Sequence, residues 1–185
     1  MITAQASHSL ERLVCDSLYQ ALSSLSTDGF QITAVEKTGD FPESTVVLLT
    51  SSSYIFRMMV LIYFNQDAAT RACFANGRSA STVQTPQDFT DAMCEVANMC
   101  SGALNRELHG FFPHIGLSTP NILERRCADH LQALRPGWER HFEVEISGAP
   151  RFHASACLCD YGLIDFHYAP PEHADAVGSG VLEIF

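Results

Sequence analysis

One apolar stretch, residues 44–64, limits the folds open to this chain more than any other segment. It reads STVVLLTSSSYIFRMMVLIYF and is too long for a single strand. Serines at 51–53 interrupt it and predict a turn, so the stretch is expected to form an antiparallel hairpin. Its longest apolar run, residues 58–64, is far shorter than the roughly 20 residues of a membrane-spanning helix. The stretch therefore predicts two neighbouring strands of a buried sheet.

A helical pattern precedes this hairpin and a shorter one follows it. Leucines and valines at helical spacing predict a helix over residues 8–25, which the STDG sequence at 26–29 ends. Residues 30–37 alternate in hydrophobicity and predict a strand. Residues 65–77 predict a short helix that ends at a glycine. The first half of the chain is expected to contain a helix, three strands and a short helix.

A long helix is predicted from Thr85 to about His109. Thr85 is a favourable N-cap residue, and Pro86 suits the first helical position because the amide there needs no partner. Gly110 can end the helix because glycine readily adopts the left-handed conformation found after many helix ends. Local chemistry thus predicts both ends of this helix.

Strand patterns follow the long helix. Residues 115–124 predict a strand that Pro120 interrupts, and residues 141–168 predict two or three more strands. The segment 125–140 is longer and more basic than a simple connection, so it is expected to be a helical insertion that Trp138 anchors. The second half therefore repeats the order of helix and strands in the first half.

This order of elements predicts an α+β fold. Strands follow one another without a helix between each pair, so we expect two layers, with helices packed on one face of a mainly antiparallel sheet. The repeated order predicts that the fold is pseudo-duplicated. Residues 1–185 are expected to form a single domain, with a core over about 8–168 and a C-terminal tail at 169–185.

The charge of the chain narrows the range of partners. Its 21 acidic and 11 basic residues give a formal net charge of -10, which disfavours nucleic acid and anionic membranes. The first residues, MITAQASHSLERLV, lack the basic and apolar regions of a secretory signal. The sequence therefore predicts a cytoplasmic protein.

The cysteines do not suggest a disulfide framework. There are seven, an odd number, and their spacing is scattered. Cys157 and Cys159 form a C-x-C pattern on a predicted strand, where both side chains point to the same face. We expect the cysteines to be small buried apolar residues, with redox or metal chemistry as the alternative.

The eight histidines leave a metal hydrolase as one alternative function. His153 and His167 could meet across two strands, with Asp160 or Asp165 close by. Against this, the chain contains no H-E-x-x-H pattern. A serine or thiol enzyme is also disfavoured, since there is no G-x-S-x-G pattern and no evident partner for a nucleophile.

The long helix has an unusual face that is predicted to be exposed. At about 100° per residue, the core face contains Met93, Val96, Ala97, Cys100, Ala103 and Leu104. We label this long helix, predicted from Thr85 to about His109, α2. Its opposite face contains Asp91, Glu95, Asn98, Gly102 and Arg106, which we call the α2 stripe. Asparagine is a poor residue inside a helix, and glycine costs about 1 kcal/mol relative to alanine. A stripe that lowers helix stability and has little bulk could let another protein approach closely.

The pattern Asp91-x3-Glu95-x2-Asn98, followed later by Pro120, resembles the signature of the CheC/CheX/FliY family of phosphatases. These proteins dephosphorylate CheY, the chemotaxis response regulator. The segment EVANMCSGALNREL resembles the family's helix, and GLSTPNIL resembles the strand that follows it. The order of elements agrees with this family from about residue 8 to residue 168.

The first helix does not repeat the pattern. Ser7 and Glu11 are present, but Val14 occupies the amide position and Glu36 occupies the proline position. The chain with its single site resembles CheX more closely than CheC. Because CheX-like proteins are typically dimers, the resemblance implies a homodimer.

The resemblance also implies a mechanism. The substrate would be the aspartyl phosphate of a CheY-like regulator, and the Mg²⁺ would belong to that regulator, so no cofactor is expected in this chain. Asn98 would orient the attacking water, and Glu95 would pair with the active-site lysine of the regulator. Asp91, Gly102 and Pro120 are expected to support the site. A module of the same fold that docks to a receiver domain without catalysis is the alternative.

Overall fold

The computed structural model describes residues 1–23, 29–36, 41–68, 70–71, 85–146 and 149–169. Only residues 65–68 and 70–71 of the short helix predicted over 65–77 lie within these ranges, and almost all of the tail lies outside them. The elements are α1 (Ala4–Ser23), β1 (Phe30–Val35), β2 (Thr45–Ser52), β3 (Phe56–Phe64), α2 (Pro86–Leu108), β4 (Gly116–Leu117), β5 (Asn121–Glu124), a 3-10 helix (Arg125–Leu134), β6 (Trp138–Ile146) and β7 (Ala149–Asp160).

The strands form one seven-stranded sheet in which every described pairing is antiparallel. Its order is β1-β6-β7-β3-β2, and β2 then pairs with both β4 and β5 along its length. The predicted hairpin is confirmed, since Leu48 of β2 faces Leu61 of β3 and the turn lies at residues 53–55. The α+β fold with a mainly antiparallel sheet is therefore confirmed.

The strand order also contains the predicted duplication. Each strand of the first half has a counterpart in the second: β1 corresponds to the β4–β5 edge, β2 to β6, and β3 to β7. Replacing every strand by its counterpart gives the same order, read from the opposite edge of the sheet. Each half supplies one helix and three strands, if β4 and β5 count as one interrupted strand. The interruption lies at residues 118–120, where the sequence predicted it.

Helices α1 and α2 pack against each other and cover one face of the sheet. The apolar positions of both helices meet alternate residues of the central strands. The largest side chains buried in this layer include Leu10, Leu13, Phe56, Phe64, Phe89, Phe142 and Phe152. Through this helix-side core, α2 packs against the sheet.

The N-terminus of α2 has the predicted cap. The amide of Asp88 donates to Thr85 Oγ1 at 3.2 Å, and the amide of Thr85 donates to Asp88 Oδ2 at 2.7 Å. This reciprocal capping box satisfies two helix-end donors. At the other end His109 is the C-cap residue and Gly110 follows it, so both predicted boundaries are confirmed, although Gly110 does not adopt the left-handed conformation expected of it.

The opposite face of the sheet is also covered, which the sequence did not predict. The 3-10 helix packs Ala128 and Leu131 against a second apolar cluster that includes Met59, Leu61 and Cys157. The predicted helical insertion therefore exists, but on the side of the sheet away from α1 and α2. The predicted role of Trp138 is wrong, because this residue begins β6 and is buried in the helix-side core.

The described cysteines differ in environment. Cys15, Cys100, Cys157 and Cys159 are buried as expected, whereas Cys127 on the 3-10 helix is exposed. Cys73 lies outside the described residues. In the described ranges, no helix is both long enough and apolar enough to cross a membrane.

Candidate functional site

The α2 stripe lies on the outer face of α2, as its periodicity predicted. Asp91, Glu95 and Arg106 are exposed, while Asn98 and Gly102 are half-buried. All six residues predicted for the opposite face are buried in the helix-side core or beside it. The structure therefore places Glu95 and Asn98 one turn apart on a surface that another molecule can reach.

Glu95 and Asn98 are available to an incoming group. Within the described residues, neither side chain has a hydrogen bond to the rest of the chain. An exposed carboxylate can accept hydrogen bonds or pair with a cation, and a carboxamide can both donate and accept. Because the two residues belong to a capped helix packed on a sheet, their backbone positions are set before any partner arrives.

The two ends of the α2 stripe do make contacts within the chain. Gln87 Nε2 donates to Asp91 Oδ1 at 2.8 Å, one turn along the same helix. Arg106 Nη2 donates to Gln20 Oε1 of α1 at 2.8 Å. These hydrogen bonds orient the end residues, while the acid and the amide between them keep their polar atoms for external contacts.

Gly102 has no packing role inside the chain. A Cβ atom built on it would meet nothing within 4 Å, apart from the helix itself. Close packing against another element therefore does not explain the glycine. It leaves open space one turn after Asn98, at a cost of about 1 kcal/mol in helix propensity relative to alanine.

Pro120 lies on the neighbouring sheet edge and does not share the outer face of α2. It is half-buried and separates β4 from β5. Just before it, Ser118 both donates its amide to the Thr50 carbonyl at 2.9 Å and accepts the Thr50 amide on its hydroxyl at 3.0 Å. Proline suits this break because it has no N–H to contribute to the ladder. β4 contacts α2, so this edge runs beside the helix.

Helix α1 offers no second site. Val14 is fully buried, and Glu11 Oε2 accepts from Arg140 Nε at 2.9 Å. The burial patterns of the two helices match when Ala6 is aligned with Phe89. In this alignment Arg12 is equivalent to Glu95, and Cys15 is equivalent to Asn98. In neither alignment does α1 present an acid and an amide together.

The residues of the alternative metal site have other partners. His153 Nδ1 lies 2.7 Å from Glu43 Oε1, and its Nε2 lies 3.6 Å from Glu143 Oε2. Asp160 accepts a hydrogen bond from the N-terminal ammonium group, and this bond is the main reason that the pKa of the Asp160 carboxyl is lowered. His167 is exposed. Among the described residues, no group of three or more His, Cys, Asp or Glu could hold a metal ion.

Sequence reasoning missed a buried polar network on the face opposite α1 and α2. His141 Nδ1 lies 2.7 Å from Ser155 Oγ, and its Nε2 lies 3.5 Å from Glu139 Oε1. Phe41 stacks on His153 and meets His141 edge-on, so it covers this network. The alternation of inward and outward positions along β6 and β7 could have placed His141 and His153 on one face of the sheet. No sequence pattern predicted that Phe41 would pack over them.

Comparison with known proteins identifies the fold. No protein-family model and no curated protein matches the chain. CheX from Vibrio vulnificus matches with a TM-score of 0.58 and 14% identity, over 81% of this chain and 99% of its own. A chemotactic CheC-like protein from Shewanella oneidensis matches with a TM-score of 0.61 and 14% identity, over 82% of this chain and 98% of its own.

A third match is the CheX–CheY–BeF3–Mg complex from Borrelia burgdorferi. It has a TM-score of 0.59 and 11% identity, over 82% of this chain and 98% of that one. At such low identities the likeness establishes the architecture, and the chemistry has to be argued from the residues. The two stacked helices, the seven-stranded antiparallel sheet and these matches together show that the chain has the fold of the CheX- and CheC-like chemotaxis proteins.

Proposed function

We propose that this protein hydrolyses the aspartyl phosphate of a CheY-like response regulator and so ends a chemotaxis signal or another two-component signal. The observation that carries the proposal is the pair Glu95 and Asn98, one turn apart on the outer face of a capped helix that packs on the sheet. The fold supports it, because a solved structure of the same fold is a complex of CheX with CheY.

Asn98 is proposed to position the attacking water. Its carboxamide can accept a hydrogen bond from the water and donate one to a phosphoryl oxygen, which holds the water in line with the phosphorus. The side chain supplies neither a nucleophile nor a general base, so the rate gain comes from orientation. The half-burial of Asn98 supports this role, since it restricts the directions in which the amide can point.

Glu95 is proposed to fix the register of the two proteins. Its exposed carboxylate pairs with the active-site lysine of the regulator, one turn from the point where Asn98 enters. Gly102 leaves room for the regulator's backbone, and Asp91 and Pro120 shape the neighbouring surface. The proposal assigns the catalytic Mg²⁺ to the regulator and no cofactor to this chain. It also includes a cytoplasmic homodimer as the working form.

The test follows the decay of a phosphorylated CheY-like receiver in the presence of wild type and two variants. Asn98→Ala is expected to lower the rate about 100-fold, because it removes a positioned polar group from the transition state. Its binding to a BeF3-activated receiver should be unchanged. Glu95→Ala is expected to weaken that binding about tenfold, because an interfacial charge pair is lost.

Gln5→Ala is the matched control, since Gln5 is an exposed amide on a helix but belongs to α1 and lies outside the α2 stripe. It should leave both rate and binding close to wild type. If wild type binds the activated receiver and leaves its decay unchanged, the alternative of a docking module is correct. If wild type binds no phosphorylated receiver, the proposed function is wrong.

A further inference from the structure

Two exposed apolar side chains flank Pro120 on the sheet edge. Leu117 is 40% exposed and Ile122 is 49% exposed, although both belong to strands. Single exposed apolar residues are common, but here two of them lie on the same sheet edge, one on either side of a half-buried proline. We call Leu117, Pro120 and Ile122 the edge patch.

The strand register places this apolar surface on the same side of the sheet as α2. Ile122 lies opposite Val47, and Leu117 lies opposite Ser51, two positions of β2 that share one face. Val47 is part of the helix-side core, so Leu117 and Ile122 also point to the helix side. By contrast, Leu123 packs in the cluster on the other face of the sheet.

The edge patch lies beside α2, on the side away from α1. β4 contacts α2 directly, while α1 reaches the α2 stripe from the other side through Gln20 and Arg106. On the helical wheel Asn98 is the member of the stripe nearest to the buried Thr90, whose hydroxyl accepts a hydrogen bond from Gln66 Nε2, just after β3. A partner whose active site receives Asn98 would therefore extend over the edge patch.

The α2 stripe needs such an apolar neighbour if it is to bind another protein. Its members are two acids, an amide, a glycine and an arginine, and each polar group loses water when a partner covers it. Most affinity in protein interfaces comes from a few buried anchors, with polar groups giving register and specificity. The edge patch offers exposed apolar side chains on the sheet edge that runs beside α2.

We infer that the edge patch is the apolar anchor for the receiver domain on which the proposed phosphatase acts. The inference rests on the proposed function and names its docking surface. The receiver would present apolar side chains beside its aspartyl phosphate, and these would pack on Leu117 and Ile122 while Asn98 and Glu95 enter its active site. Specificity among receivers would then depend on this contact, since phosphate and lysine are features that receivers share.

The test is the double variant Leu117→Ala/Ile122→Ala, assayed with a phosphorylated CheY-like receiver. We expect KM to rise about tenfold, equivalent to about 1.4 kcal/mol of lost contact, while kcat stays near wild type. Leu134→Ala is the matched control, because Leu134 is 46% exposed on the 3-10 helix, on the other side of the sheet. Thermal unfolding of all three proteins checks that they are equally folded.

The possible outcomes separate the inference from the function. If the double variant and Leu134→Ala have the same KM as wild type, the edge patch is not an anchor, although the phosphatase activity stands. A fall in kcat at unchanged KM would also overturn the inference, since the patch would then act on chemistry and not on docking. If wild type itself neither binds nor dephosphorylates the receiver, the function and the inference fail together.

Discussion

At the scale of single residues, Asp16 is the carboxylate that α1 places in the least favourable surroundings. It is half-buried, and burial raises the pKa of this carboxyl above its ordinary value of 3.8. A hydrogen bond with the Tyr168 hydroxyl opposes this rise but does not cancel it. Burial also raises the pKa of Tyr168. The pair joins α1 to the segment after β7, so its ionisation affects the folded state as a whole.

The sign of this effect predicts how stability depends on pH. Because the folded state holds the Asp16 proton more tightly than the unfolded state, stability falls as pH rises through the raised pKa. Asp16→Asn should therefore melt at a higher temperature than wild type at pH 7, and the difference should shrink as the pH approaches 3.8. Melting curves recorded between pH 3 and 7 measure this difference. Asp129→Asn is the control, because Asp129 is more exposed than Asp16. A constant difference across this range would contradict the prediction.

The exposure of a single residue could be predicted where the sequence has a clear helical periodicity. Glu95 and Asn98 were placed correctly because the helix repeat separates exposed from buried positions over many turns. The burial of Asp16 was not predicted, since it depends on a segment more than a hundred residues later that folds back over α1. The catalytic roles of Glu95 and Asn98 stay predictions until the decay of a phosphorylated receiver is measured.

At the scale of elements, α2 was the most predictable, because its cap, first-turn proline and terminal glycine are local signals. The break between β4 and β5 was predictable for the same reason, through Pro120. The location of the 3-10 helix was not, since none of its ten residues is buried and the sequence does not say which face of the sheet it covers. Which face of a sheet such a segment covers is decided by long-range packing.

Helix α2 offers a direct test of why Gly102 is present. Gly102→Ala should raise the free energy of unfolding by roughly 0.5–1 kcal/mol, because alanine favours the helix and its Cβ meets no neighbour. The same variant should weaken binding to the activated receiver if the partner needs the open space. Denaturant titration and a binding isotherm give the two values.

Gly29→Ala is a useful control, because Gly29 also has open space around it but lies outside the helix. It should not change receiver binding. If Gly102→Ala stabilises the protein and leaves receiver binding intact, the glycine does not serve docking.

At the scale of the whole molecule, the sequence predicted the class of sheet, mainly antiparallel, but not the order of its strands. Antiparallel pairing followed from the absence of helices between strands, but the interleaving of β6 and β7 between β1 and β3 depends on contacts distant in sequence.

The homodimer is a prediction that rests on the resemblance to CheX. Light scattering should give a mass near twice 20.3 kDa at micromolar concentration, and a mass of 20.3 kDa at every concentration would contradict it.

The interleaved strand order has a consequence for the order in which the molecule can assemble. Strand β1 is made early, yet its described partner is β6, which lies more than a hundred residues later. In the same way β2, from the first half, holds β4 and β5 from the second. During synthesis β1 must wait for residues 138–146 to leave the ribosome, so the first half cannot complete its own sheet. The sheet beneath the helix that presents Asn98 is therefore complete only after β6 and β7 have been made.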